Sequence, residues 1–201
     1  MKLIEQYVQI LDGVGADRYV EAIMKVERAG RVCYKSECMQ TVGSAEPFIR
    51  TLIRRGHASV LEHVNLTLKW VTDRGVTHEL VRHRLASYSQ ESTRYCNYGK
   101  DDIEFINPVD YMFDELDILT LKGIEATYKS ALFKGRTPQQ ARAILPNCLK
   151  TEIVLTMNIR EWRHVLKLRT APAAHPQMRD MAVKTLGLLQ IHFPVFFEDL
   201  V

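Results

Sequence analysis

The stretch "VNLTLKWV", Val64 to Val71, sets Val64, Leu66, Leu68 and Trp70 against Asn65, Thr67 and Lys69. Side chains of a strand point alternately to opposite faces, so this run reads as a strand with one face in a core. "KTEIVLTMN" (150–158) reads as another strand, and "IEFINP" (103–108) as a brief one closed by its proline. At the start, "MKLIEQYVQILDG" reads as one first strand, with turn residues after it. The glutamate and glutamine inside its apolar part argue against a signal peptide.

Around these strands the pattern is helical. "DRYVEAIMKVERAGRV" (17–32) places Val20, Ile23, Met24 and Val26 or Ala29 near one face. "SAEPFIRTLIRRGH" (44–57) opens on Ser44 as a cap and stops at Gly56. "THELVRHR" (77–84) could form a short helix. From Asp114 to Lys134, the residues Leu121, Ile124, Tyr128, Ala131 and Leu132 keep helical spacing. Thr137 and Pro138 start another helix, and "IREWRHVLKLRT" and "HPQMRDMAVKTLGLLQIHF" supply the last two. In the former, Ile159, Trp162, Val165, Leu166 and Leu168 are the candidate core face. The sum is α+β: an antiparallel sheet with helices packed around it, as a single domain over residues 1–201.

Composition narrows the function classes. Residues are 46% apolar and 25% charged, as in globular proteins, and a net charge of +3 is too mild to argue for non-specific nucleic-acid binding. No apolar run approaches a membrane span. Cys33, Cys38, Cys96 and Cys148 form no CxxC pair, so they read as free thiols of a reducing cytoplasm. "GHASVLEH" and "HELVRH" are not HExxH, and no metal site is expected. There is no G-x-S-x-G elbow, GxGxxG or Walker loop, so any nucleotide is held by side chains.

The chemistry concentrates in "VRHRLASYSQESTRY" (81–95). Arginine presents planar donors that fit phosphate and carboxylate. Arg82, Arg84 and Arg94 with Ser87, Ser92 and Thr93 could therefore form an anion pocket. A solvated helix face with internal ion pairs is the other reading, and composition does not choose between them. A nucleic-acid module is a third, since Tyr88, Tyr95 and Tyr98 interleave with the cations. Further cations stand at Arg142 and along Arg160, Arg163, His164, Lys167 and Arg169.

These segments together resemble the flavin-dependent thymidylate synthase family. "RHRLASYSQESTRY" carries the RHR triplet, then seven residues, Ser92 and Arg94; "GRVCYKS", "GHASVLEHVNLTLKW", "ARAILP", "MNIREWRHVLKLR" and "AAHPQ" resemble further family blocks in the same order. The resemblance spans roughly residues 20 to 195 and treats the G-H-x-[ST] block as the entry to a strand. It implies reductive methylation of dUMP to dTMP, with FAD as cofactor and methylenetetrahydrofolate and NADPH as co-substrates. It also implies a homotetramer with shared active sites.

Carried over by position, the resemblance gives Arg82, His83, Arg84, Asn158, Arg160 and His164 to FAD. His57 is set near the flavin ring with Ser59 and Glu62 beside it. Gln90, Glu91, Ser92 and Arg94 fall to dUMP, with Gln90 close to FAD as well. Arg82 and Glu79 join the substrate contacts, and Arg142 would reach a neighbouring subunit's nucleotide. Arg169 would sit against the uracil ring and, with His57, carry catalysis. The sequence departs from some members at Glu79, Gln90 and His164, where they have Gln, Glu and Asn.

Overall fold

The computed structural model describes residues 1–201. Strands β1 (Lys2–Ile4) and β2 (Tyr7–Ile10) precede helix α1 (Ala16–Val32) and helix α2 (Ala45–Arg54). A 3-10 turn over Ala58–His63 leads into β3 (Asn65–Asp73), which passes directly into α3 (Arg74–Leu80). Strands β4 (Ala86–Gln90) and β5 (Glu104–Ile106) come next, followed by α4 (Glu115–Phe133) and the short α5 (Pro138–Ala141). Strand β6 (Lys150–Asn158) runs without a loop into α6 (Ile159–Arg169), and α7 (Pro176–His192) and α8 (Pro194–Phe197) end the chain. No helix is long and apolar enough to cross a membrane.

The main sheet is antiparallel, in the order β2-β3-β6-β4. The alternation in β3 does what period 2 requires. Leu66, Leu68 and Trp70 are fully buried, opposite Met157, Leu155 and Ile153 of β6. On the other face the Thr67 and Thr156 hydroxyls meet at 3.0 Å and Lys69 pairs with Glu152 at 3.2 Å. Trp162 of α6 seals the apolar face and donates its indole N–H to the Leu66 carbonyl at 3.0 Å. Met178, Met181, Ala182 and Leu189 of α7 complete the same core.

The α+β expectation holds, with corrections. The N-terminal run is two strands, because Gln6 is drawn inside between them. Its carboxamide donates to the Gln177 carbonyl and Asp180, and accepts from the Thr72 hydroxyl at 2.8 Å. The chain therefore leaves the main sheet, and β1 pairs with β5 in a separate parallel ribbon. Helix α1 buries Ala22, Val26, Glu27 and Gly30, while Val20 and Met24 are exposed; the inward face is set by α2, whose Phe48 and Leu52 lie against Gly30. Ser44 does not cap α2, because its hydroxyl donates to the buried carboxylate of Glu27 at 2.6 Å. Gly56 does end α2, at a φ of 73° that favours glycine. The G-H-x-[ST] block does enter a strand, through the 3-10 turn before β3, whereas Leu168, expected in the core, is half exposed.

Candidate active site

The arginine-rich stretch is neither a helix nor a run of ion pairs. Residues 81–85 form the turn leaving α3, and 86–90 are β4, the sheet's edge strand. Polar alternation suits an edge, where one face meets water. Tyr88 fixes the turn by donating its hydroxyl to the carbonyls of Leu80 (2.9 Å) and His83 (2.7 Å). Burial, then the charge of Glu161, pushes the Tyr88 phenol up to about 12, so it stays a donor. Arg82, Arg84, Arg94 and Arg142 are all exposed, and none has a carboxylate within 4.0 Å; the arginine ion pairs all lie elsewhere. The internal ion pairs of the second reading are therefore absent at these four guanidinium groups, which face solvent.

Arg169, in the last turn of α6, is the hub. Its Nε–H donates to Nε2 of His83 at 3.0 Å, and Nη1 donates to the Glu79 carboxylate at 2.9 Å. Nη2 lies 3.5 Å from the Glu79 carbonyl. A guanidinium has five N–H donors, so two stay free for a ligand. His83 is 8% exposed. Burial, then the charge of Arg169, then His164, lowers it to about 4. It is thus a neutral acceptor at physiological pH, with its proton on Nδ1. His164 stands edge-on to it, ring centroids 6.2 Å apart.

A second centre lies beside the first. His57 and Ser59 line a cleft of about 430 Å³ with Gly30, Cys33, Tyr34 and Arg160. The Tyr34 hydroxyl is 3.1 Å from Nδ1 of His57. Arg160 also lines the adjoining cleft with Glu62, Asn158, Glu161 and His164, and pairs with Glu62 at 2.6 Å. One guanidinium therefore joins the two clefts. Asn158 is the N-cap of α6, its side-chain oxygen accepting from the Glu161 N–H at 2.8 Å, which fixes where Arg160 and His164 point.

The remaining predicted residues lie where β4 ends. Both contacts of the Gln90 amide group are internal, to the hydroxyls of Thr77 (2.9 Å) and Thr151 (3.2 Å), so it braces β4 between α3 and β6. Glu91 accepts from the Tyr98 hydroxyl at 2.6 Å and from the Glu152 N–H at 3.2 Å. The Ser92 hydroxyl accepts from the Arg94 N–H at 3.3 Å, and the Arg94 side chain donates to Gln139. Arg142, expected to serve a neighbouring subunit, donates within its own chain to the Thr93 hydroxyl at 3.1 Å.

Three side chains have roles that the sequence did not indicate, Tyr88 having been read only as a stacking aromatic. Tyr34 and Tyr88 orient site residues, and only their place inside the quoted motifs could have marked them. Glu161 is the acid in the first turn of α6. It groups with His83 and His164, one potential ligand atom of each lying within 4.8 Å of the others. Such a set could hold a metal ion, although Arg169 already occupies Nε2 of His83. His57, Glu62 and His63, the motif weighed for metal in the sequence, are not so grouped: Glu62 serves Arg160 and His57 faces Tyr34.

An α+β fold that combines a guanidinium–imidazole–carboxylate hub with exposed arginines free of ion pairs is equipped to receive anionic ligands, and comparison with known proteins narrows the class. The family described as thymidylate synthase complementing protein matches residues 18–195, and the chain belongs to that family. Flavin-dependent thymidylate synthase of Mycobacterium tuberculosis is 37% identical over 198 residues, covering 87% of this chain and 78% of that protein. The Corynebacterium glutamicum enzyme of the same name is 32% identical over 195 residues, with the same coverage. Among solved structures, thymidylate synthase X from Helicobacter pylori, with FAD and dUMP, superposes with a TM-score of 0.80 at 23% identity, over 96% of this chain and 98% of that one. A UMP/dUMP methylase, PolB, from Streptomyces cacaoi, bound with 5-Br dUMP, gives 0.77 at 24% identity over 98% and 96%. At those identities the two structures speak for the fold.

Proposed function

We propose that the chain is an FAD-dependent thymidylate synthase, methylating dUMP to dTMP. Methylenetetrahydrofolate is the carbon donor, NADPH the reductant, and no cysteine acts as nucleophile. The observation that carries this reading is Arg169, a guanidinium fixed on two sides with two N–H groups left, in a chain whose motif residues Arg82, Arg84, Arg94 and Arg142 are exposed and form no ion pair. FAD and dUMP both bring phosphates, and Arg82, Arg84, Arg94 and Arg142 supply charge for them without first breaking an ion pair. Family membership and the enzymes named above support the reaction class.

The flavin, when bound, supplies hydride chemistry. The chain's own part is orientation and charge. Carbon 5 of uracil is a weak nucleophile, and a guanidinium against the imide edge stabilises the anion that develops as the ring is activated. Arg169 takes that role, with Glu79 and His83 as positioning residues that stop it turning away. His57, held by Tyr34, faces the flavin-side cleft with Ser59. Ser92 and Arg94, with Glu91 behind them, receive the dUMP phosphate. Of the thiols, Cys148 is pushed up to about 11 by burial, which makes it a poor nucleophile at neutral pH. Cys33 is the thiol that lines the His57 cleft, so Cys33→Ser tests the cysteine-free route: the variant should retain turnover.

The exposed apolar residues Val20, Met24 and Val42 around one groove support the homotetramer, whose mass light scattering would measure. The deciding experiment is tritium release from carbon-5-labelled dUMP by the purified protein. Release that depends on FAD, with dTMP formed only when methylenetetrahydrofolate and NADPH are added, is expected. A protein that neither binds FAD nor releases tritium would refute the proposal.

A further inference from the structure

Glu161 presents an imbalance that the reading above leaves unexplained. It is 7% exposed, and although its backbone N–H donates to the Asn158 side chain, its own side chain makes no hydrogen bond to the protein. Its carboxylate accepts from no donor and forms no ion pair, although it lines the cleft of Asn158, Arg160 and His164. The cation beside it in sequence, Arg160, is turned to Glu62. The rings of His83 and His164 lie near without reaching hydrogen-bonding distance. Its carboxylate oxygens are not sealed from solvent: they open onto the cleft, so the donors they meet are those that enter it. A side chain kept in that state and aimed into a cleft is matched to a donor that arrives with a ligand.

We infer that Glu161 is a ligand-orienting residue, accepting an uncharged N–H or O–H donor, imide or sugar hydroxyl, from the bound flavin nucleotide or dUMP. The inference rests on the proposed function, which puts both ligands in these clefts. The sign of the charge restricts the donor. A carboxylate repels phosphate, so the uncharged part of the ligand faces Glu161 while its phosphates turn to the arginines. Glu161 thereby sets which way round the ligand lies, a task the arginines cannot perform because they attract every phosphate alike.

The test compares wild type with Glu161→Gln in three measurements: FAD affinity by flavin fluorescence, dUMP affinity by calorimetry, and the melting temperature without ligand. We expect at least a tenfold loss of affinity for one of the two ligands, which identifies the donor's source, with a ligand-free melting temperature unchanged or raised. Unchanged affinity for both ligands overturns the inference, and so does a lowered melting temperature with both affinities weakened alike, the mark of a structural carboxylate. Zinc that binds wild type, displaces FAD and fails to bind Glu161→Gln would replace it with a metal site. Glu161→Ala, which removes the acceptor and keeps a strong helix former, repeats the test should the first variant misfold. A wild-type protein that binds no FAD refutes the proposed function instead.

Discussion

Replacing Arg169 by Lys separates the charge of this side chain from its shape. An ammonium can still reach the Glu79 carboxylate, now 2.9 Å from Nη1. It cannot at the same time donate to His83 from the middle of the side chain, where Nε–H now makes a 3.0 Å contact. A hydrogen bond with a charged partner contributes about 1.5–3 kcal/mol. His83 stands edge-on to His164, which lines a cleft that water can enter, and rehydration from that side offsets part of the loss, so about 1–2 kcal/mol is expected. For a chain of this size that lowers the melting temperature by about 3–6 °C. The effect on catalysis should be larger. Losing a planar donor aimed at developing charge costs about 10²–10³ in turnover. Tritium release and thermal melting of Arg169→Lys, Glu79→Gln and the double variant measure both quantities. Because the two residues share one contact, the double variant should lose less than the sum of the singles. Full turnover and unaltered dUMP affinity in Arg169→Lys would refute the role given to this residue.

Three further outcomes follow from the same structure. His83 sits at about 4 in the folded chain against 6.5 unfolded, so between those values the unfolded chain binds a proton that the folded one does not. Stability should therefore fall as pH drops from about 6.5 towards 4, and His83→Asn should flatten that slope in urea titrations. Gly30→Ala would set a Cβ 2.6 Å from Cε1 of Phe48, whose ring also carries the Arg31 guanidinium 4.6 Å from its centroid. Overpacking at about 1–3 kcal/mol outweighs the better helix propensity of Ala, and calorimetry should show a lower melting temperature. Tyr34→Phe removes the hydroxyl beside Nδ1 of His57 at an exposed position. Turnover should drop several-fold while the melting temperature stays within about 2 °C, which corresponds to roughly 0.5 kcal/mol.

Much of this architecture was legible because its signals are local. The period-2 pattern of 64–71 and Gly56 after α2 were read correctly from neighbouring residues alone. The errors came where a distant partner decided. Gln6 breaks the first strand because Gln177, Asp180 and Thr72 claim its side chain, and Ser44 abandons its cap for Glu27. Val20 and Met24 look like core in any helical projection, yet α2 packs on the other side of α1. The motif blocks named candidate residues but not their couplings. Arg169 with Glu79 and His83 spans 90 and 86 positions of sequence, and neither spacing leaves a trace in the chain. Strand β4 was missed because five small and polar residues show period 2 only once their sheet partner is known.

The absence of loops between β3 and α3 and between β6 and α6 gives the hub a ruler. The two strands are antiparallel, so the helices start from opposite ends of the pair, at Asp73 and Asn158, and double back towards each other. A strand of nine residues is about 30 Å long, while seven and eleven helical residues add about 10 and 16 Å. The helices thus run out of length just as their C-terminal ends come together, where Glu79 takes hold of Arg169. Lengthening either helix by one turn would carry that grip past its mark by about 5.4 Å. The spacing of Glu79 and Arg169 is accordingly dictated by how many residues the sheet is long.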